Sequence, residues 1–166
     1  RRRSGAYMIR NTTRHQKMGW VLFILYLALL VYFLFFAEFF GRTDAALRED
    51  YAYNLEPFKE ISRFWTYRDK LGMWAFLLNV VGNVAAFMPC GFFLPIVSRR
   101  SKKWYNTVII SGGFSLCVEL VQLVSKVGSF DVDDIILNTP GGILGYITYR
   151  IVQRIRIWRR RHAGKK

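Results

Sequence analysis

Two stretches of this chain run without a charge for the full thickness of a bilayer. Gly19–Ala37 is an uncharged run of 19 residues and Leu71–Val97 is one of 27. A hydrocarbon core of about 30 Å takes about 20 helical residues to cross. Trp104–Ser125 is a third such stretch, broken only by Glu119. Ile135–Tyr149 is a shorter fourth, which reaches spanning length if Arg150 snorkels to the headgroups and Ile151–Ile157 continues the helix. The expected fold is therefore all-α: a polytopic membrane protein with four transmembrane helices at about 19–40, 71–97, 104–125 and 134–153, forming one domain over 1–166. The first run is too long for the apolar part of a cleavable signal peptide, and no A-x-A-like site follows it, so it is expected to remain as a span.

The net charge of +14 suits nucleic acid in a soluble protein, but here the cations follow the membrane. With the N-terminus in the cytoplasm, 18 of the 25 Lys and Arg fall inside: in the N-terminal tail, in "SRRSKK", and from Arg150 onward. This obeys the positive-inside rule and predicts a multi-pass protein of the cell membrane with both termini cytoplasmic. All eleven Asp and Glu fall outside or in the outer half of the membrane. Acids weigh little in setting topology, so their segregation points to what the outer face does.

The outer loop (41–70) carries "YAYNLEPFKEISRFWTY", with Phe58, Ile61, Phe64 and Trp65 at helical spacing. Pro57 suits a first helical turn, and Glu56 and Glu60 suit a helix N-terminus. An amphipathic helix lying at the outer interface is expected. After Arg150, Ile151, Ile155 and Trp158 share a face among arginines, the pattern of an anchor for anionic lipids. Cys90 and Cys117 lie on different helices at different depths; both are expected to pack, and no disulfide is expected.

The last three predicted spans each carry a stripe of small and polar residues along one face. In the second these are Asn79, Asn83, Ala86 and Cys90; in the third, Gly112, Ser115, Glu119, Gln122 and Lys126; in the fourth, Asp134, Asn138, Gly141, Gly145 and Thr148. Small residues permit close helix approach, and a carboxylate inside a membrane is costly unless paired or used. Depth counting predicts an outer-leaflet cleft floored by Glu119, Asn79 and Asn138, with Gln122 above them and Asp131, Asp133 and Asp134 at the rim. Pro140 with Gly141–Gly142 is expected to kink the fourth helix and widen it. Asp133 points away from Asp134 on a helix and reads as a helix-start residue favoured by the dipole.

The chemistry such a cleft offers is limited. "DVDD…N" lacks the glycine and distal glutamate of a calcium loop, so Asp131 and Asp134 are the metal candidates if there is a metal. Glu119 is the one candidate acid or base, with no histidine or convincing serine nucleophile near it. No phosphate-cradling glycine loop and no zinc spacing occur. The chain calls for no cofactor.

Three ordered motifs give the chain a likeness. "NVVGNVAAFMPCGFFLP", "FSLCVELVQ" and "FDVDDIILNTPGGILGY" together resemble the VanZ-like family of bacterial membrane proteins. The family's pattern meets this sequence at Asn83, Phe87, Pro89, Gly91, Leu94 and Pro95, then at Ser115, Glu119 and Gln122. It continues at Phe130, Asp131, Asp133, Asp134, Asn138, Gly141 or Gly142, and Gly145. "YNLEPF" matches an outer-loop element and adds Asn54, Pro57 and Phe58. Gly128 stands where many members have arginine, and Pro140 where leucine is common. The resemblance implies a role at the Gram-positive envelope, where the founding member confers low-level teicoplanin resistance without remodelling the peptidoglycan target. The function expected is binding of an envelope lipid or lipid-like ligand in the polar cleft. The alternatives are an intramembrane enzyme acting on an envelope lipid, or a regulatory subunit of an envelope complex.

Overall fold

A computed structural model describes residues 14–33, 53–98, 100–126 and 129–163. Expectations that fall on the basic N-terminal tail, on 34–52, on Arg99 and on Gly128 lie outside the described residues. The helices are α1 (Arg14–Tyr32), α2 (Lys59–Thr66), α3 (Arg68–Leu71), α4 (Met73–Val97), α5 (Trp104–Ser125) and α6 (Val132–Ala163), with a 3-10 turn at Arg100–Lys102. Two residues of β1 (Tyr53–Asn54) pair in parallel with two of β2 (Phe130–Asp131), joining Tyr53 to Phe130 and Asn54 to Asp131. The described residues are all-α apart from this short bridge.

Two helical stretches, Phe76–Val97 and Trp104–Ser125, are long and apolar enough to cross a membrane; Gln16–Tyr32 is apolar but shorter. Within their most apolar windows only 28% and 33% of residues are buried against the rest of the protein, so neither is the core helix of a soluble domain. Trp74, Leu78, Ile109 and Val124 all stand more than two-thirds exposed. Each large apolar side chain left in water forgoes about 1.5–3 kcal/mol, whereas hydrocarbon accepts it without cost.

The helix ends differ from the sequence expectation in instructive ways. The second span was expected from residue 71, but Gly72, at φ 85°, breaks the helix there and separates α3 from α4. The fourth was expected to end near 153, but α6 continues to Ala163 as one helix of 32 residues. At 1.5 Å per residue it is about 48 Å long, more than the about 30 Å thickness of a hydrocarbon core. Pro140 lies inside this helix and is exposed. Gly141 and Gly142, expected to widen a cleft, are instead buried in the bundle.

The core is the crossing of α4 and α6, the most extensive helix contact in the structure. The backbones meet through glycine: a Cβ on Gly91 falls on the Gly142 carbonyl, and one on Gly145 falls on the Met88 carbonyl. Around this seam are buried Phe87, Cys90, Leu94, Leu137, Tyr146 and Tyr149. Helix α1 lies against α4, where the Tyr26 hydroxyl donates to the Ala86 carbonyl at 2.8 Å and the rings of Phe23 and Phe93 meet. Cys117 departs from expectation: it is exposed and only Cys90 is packed, and both are free thiols. Thr148 also faces outward and donates back to the Leu144 carbonyl of its own helix at 2.9 Å.

Because Gly145 abuts backbone rather than a side chain that can rotate away, Gly145→Val is expected to destabilise the bundle by about 3 kcal/mol or more. Cys117→Ser, on the exposed face, is expected to leave stability unchanged. Thermal unfolding of the purified protein in detergent checks both, and an unaltered midpoint for Gly145→Val would contradict the close crossing.

Candidate functional site

The polar face of α5 meets the start of α6 where the chain turns between them. Helix α5 closes with Lys126 in the left-handed conformation, φ 55°. The chain re-emerges as β2 and enters α6 with Asp133 and Asp134 in its first turn, where acidic side chains favour the helix dipole. The β1 pairing draws the segment ahead of α2 onto the same spot. Four parts of the chain converge here: the segment ahead of α2, α4, α5 and the α6 start.

Glu119 is 2% exposed, and its Oε2 accepts the Asp131 backbone N–H at 2.9 Å. Asp131 Oδ1 accepts from Asn54 Nδ2 at 3.0 Å and from the Asp133 N–H at 2.9 Å. Asn54 Oδ1 in turn accepts the Glu56 N–H at 3.2 Å. Asp134 Oδ1 accepts from Asn83 Nδ2 at 2.6 Å, tying α6 to α4. One turn before Glu119 along α5, Ser115 Oγ accepts from Asn138 Nδ2 at 2.9 Å, with both residues buried. Asn138 Oδ1 is also buried and has no donor on it among the described residues.

Asp133 departs most from the sequence reading. It does stand in the first turn of α6, but its side chain serves another helix. Oδ1 accepts the Phe58 N–H, and Oδ2 accepts the N–H groups of Glu60 at 2.8 Å and Ile61 at 3.2 Å. These are among the backbone donors that the first turn of a helix leaves without partners. No side chain adjacent to α2 caps it. Phe58 precedes the helix at φ 65°, a left-handed conformation unusual for an aromatic residue. Asp133, 1% exposed, is thus the N-cap of α2 from 75 residues away. The missing local cap was the signal available: "EPFKE" offers no Ser, Thr, Asp or Asn at the position before Lys59.

The structure brings Glu119, Asp131, Asp134, Asn83, Asn138 and Asn54 into this hydrogen-bonded region. Gln122 is buried on the next turn of α5. Asn79 is half-buried and joins none of these hydrogen bonds. Pro57 sits in the turn ahead of α2 rather than inside its first turn, and Phe58 is exposed. Among the described residues no group of three or more His, Cys, Asp or Glu is arranged to hold a metal ion. Asp131 and Asp134 instead accept from amide donors. Chemically, the arrangement is a set of carboxylate acceptors matched to N–H donors, which fixes backbone in place.

Loss of the Asp133 carboxylate strands three backbone donors at the start of α2. Asp133→Ala is expected to cost about 2 kcal/mol or more and to speed hydrogen exchange at the amides of Phe58, Glu60 and Ile61. Asp69→Ala, at an exposed carboxylate, is expected to leave those amides unchanged. Exchange read by mass spectrometry decides it; equal protection in Asp133→Ala would refute the distant cap.

Comparison with known proteins agrees with this geometry's reliance on ordered motifs. The VanZ/LLP1 family model matches residues 23–153, which contain every residue of the site. Protein VanZ of Enterococcus faecium is 25% identical over 131 residues, covering 77% of this chain and 71% of that protein. No solved structure matches the chain. The apolar helices and the family match together make this a membrane protein, and the chain belongs to the VanZ/LLP1 family.

Proposed function

We propose that this chain is a non-enzymatic, four-span protein of the bacterial envelope with both termini cytoplasmic. Its outer face receives a lipid or a lipid-like tail, and it thereby contributes to resistance against glycopeptides such as teicoplanin. The observation that carries the reading is a shelf of exposed aromatic side chains beside the buried carboxylates. Tyr53, Phe58, Trp65, Tyr67 and Trp74 are each about half exposed or more, and Asp133 caps the helix that carries Trp65. Trp65 is itself braced, with Arg68 over its ring at 4.6 Å and Phe76 against its edge. Aromatic side chains of this kind favour the headgroup level of a bilayer, where one end is apolar and the other wet. There α2 lies along the interface as an amphipathic helix. An acyl chain crossing that level meets the aromatic shelf, while Asn79, Asp131 and Asp134 offer polar partners to its head. The link to teicoplanin rests on the family resemblance, and the non-enzymatic reading on carboxylates already engaged in holding backbone.

Teicoplanin susceptibility of a sensitive Gram-positive host tests this, with wild type and variants at matched membrane levels. Wild type is expected to protect. Phe58→Ala/Trp65→Ala is expected to lose most of that protection, and so is Glu119→Gln, which keeps an acceptor for the Asp131 N–H but removes the carboxylate. Full protection by the aromatic double variant, or none by wild type, would overturn the proposal. Protection retained by Glu119→Gln alone would confine the role of Glu119 to structure.

A further inference from the structure

The segment from Tyr53 to Leu71 spans β1, α2 and α3 and is attached to the bundle chiefly through hydrogen bonds. Helix α2 has no buried residue. Its apolar contacts are partial: Ile61 and Phe64 are half-buried, and Trp65 meets Phe76 of α4 edge-on. Its ion pairs, Lys59 with Glu56 and Arg63 with Glu60, stay within the segment. A helix of eight residues is marginal on its own. The stronger attachments are the Phe58, Glu60 and Ile61 N–H groups on Asp133, the Asn54 amide on Asp131, and the β1–β2 bridge. All of these end on residues 130–133.

We propose that residues 53–71 form a lid over the Glu119–Asp131–Asp133 network, latched by Asp133 and hinged at Gly72. Closed, the lid covers the Asp133 carboxylate, which is 1% exposed beneath the start of α2. Opening uncovers that carboxylate and removes the Asn54 amide from Asp131. The two side chains then become available to hydrogen-bond donors from outside the chain. The lid moves as one body because its parts are bonded to each other. The Glu56 N–H donates to Asn54 Oδ1 at 3.2 Å, joining β1 to the turn ahead of α2. The Tyr67 N–H donates to the Arg63 carbonyl at 3.0 Å, and the Arg68 guanidinium donates to the Trp65 carbonyl at 2.9 Å, joining α3 to α2.

Gly72 separates the lid from α4 at φ 85° and ψ 141°, close to a region that is essentially glycine-only. Space does not require a glycine there, since a Cβ at Gly72 meets nothing within 4 Å. The backbone does. The closed lid thus depends on a dihedral that any other residue resists, and relaxing it turns the lid relative to α4. Latch and hinge lie at opposite ends of the lid. Segments that open locally come from the weakly packed end of a protein's stability range, which is where α2 stands. This inference does not depend on what the site binds.

Hydrogen exchange of the full chain in detergent, read by mass spectrometry, tests the lid through its hinge. Gly72→Ala leaves every contact of Asp133 in place. It is expected to speed exchange roughly tenfold at the amides of Phe58, Glu60 and Ile61, far along the chain from the substitution. Asp133→Ala is expected to speed exchange at Tyr67, Lys70 and Gly72 as well as at the amides it caps. Phe87–Leu94, in the seam with α6, is expected to keep its protection in both. The opposite change uses Tyr53→Cys/Phe130→Cys in a Cys117→Ser background. These two positions are paired across the bridge, where strands lie about 4.8 Å apart, within reach of a disulfide. Oxidation is expected to slow exchange across residues 58–71 roughly tenfold, and reduction to restore it. Faster exchange in Gly72→Ala confined to the neighbours of Gly72 would overturn the lid, and so would unchanged exchange at residues 58–66 after oxidation. Loss of protection at Phe87–Leu94 in step with residues 58–66 would overturn it as well, by showing that the segment opens only with the whole bundle.

Discussion

A carboxylate taken out of water is tolerated only where hydrogen-bond donors replace the water it has lost, and the acidic end of this protein is arranged around meeting that demand at Asp133. The donors it receives are the ones a helix start cannot satisfy for itself. Each side therefore removes the other's desolvation penalty, and the contact fixes the position of α2 against the start of α6. The negative side chain also lies at the positive end of the α2 dipole, which adds to the attraction. The left-handed Phe58 backbone is held by the same contact, since its N–H is one of the donors. With α2 held in this way, Asn54 falls beside Asp131 and the short parallel bridge forms.

The second constraint is backbone proximity. Helices α4 and α6 cross so closely that glycine is required where their chains touch. Membrane helices gain little from burying apolar surface against each other, because lipid is equally apolar, so close approach and polar contacts must supply the association. That is why the small-residue and polar stripes coincide. Gly91 and Gly145 let the chains meet, and the Asn83–Asp134 and Ser115–Asn138 hydrogen bonds join neighbouring faces of the same bundle.

The helices and the inward faces were legible in the sequence because both rest on local periodicity. Glu119, Gln122, Ser115 and Asn138 repeat at helical steps, and all are buried. Periodicity failed where a residue sat at the edge of its stripe: Thr148 turned outward, and Cys117 belonged to none. It also could not anticipate the hydrogen bonds from Asn54 and the start of α2 to the start of α6, which link residues more than 70 positions apart. A single sequence shows that Asp133 opens one helix and that α2 lacks a local cap. Only three-dimensional proximity shows that the two facts answer each other.

The two ends of the bundle handle charge by opposite means. At the acidic end the described carboxylates of the network find their donors within the chain: backbone N–H groups for Glu119 and Asp133, asparagine amides for Asp131 and Asp134. Such compensation is internal, so it rigidifies, and it leaves the aromatic side chains on a fixed support. At the basic end α6 carries Arg150, Arg154, Arg156, Arg159, Arg160 and Arg161 and no Asp or Glu after Asp134. The 32-residue length of α6 makes this division possible, because a single helix begins in the carboxylate network and ends among the arginines.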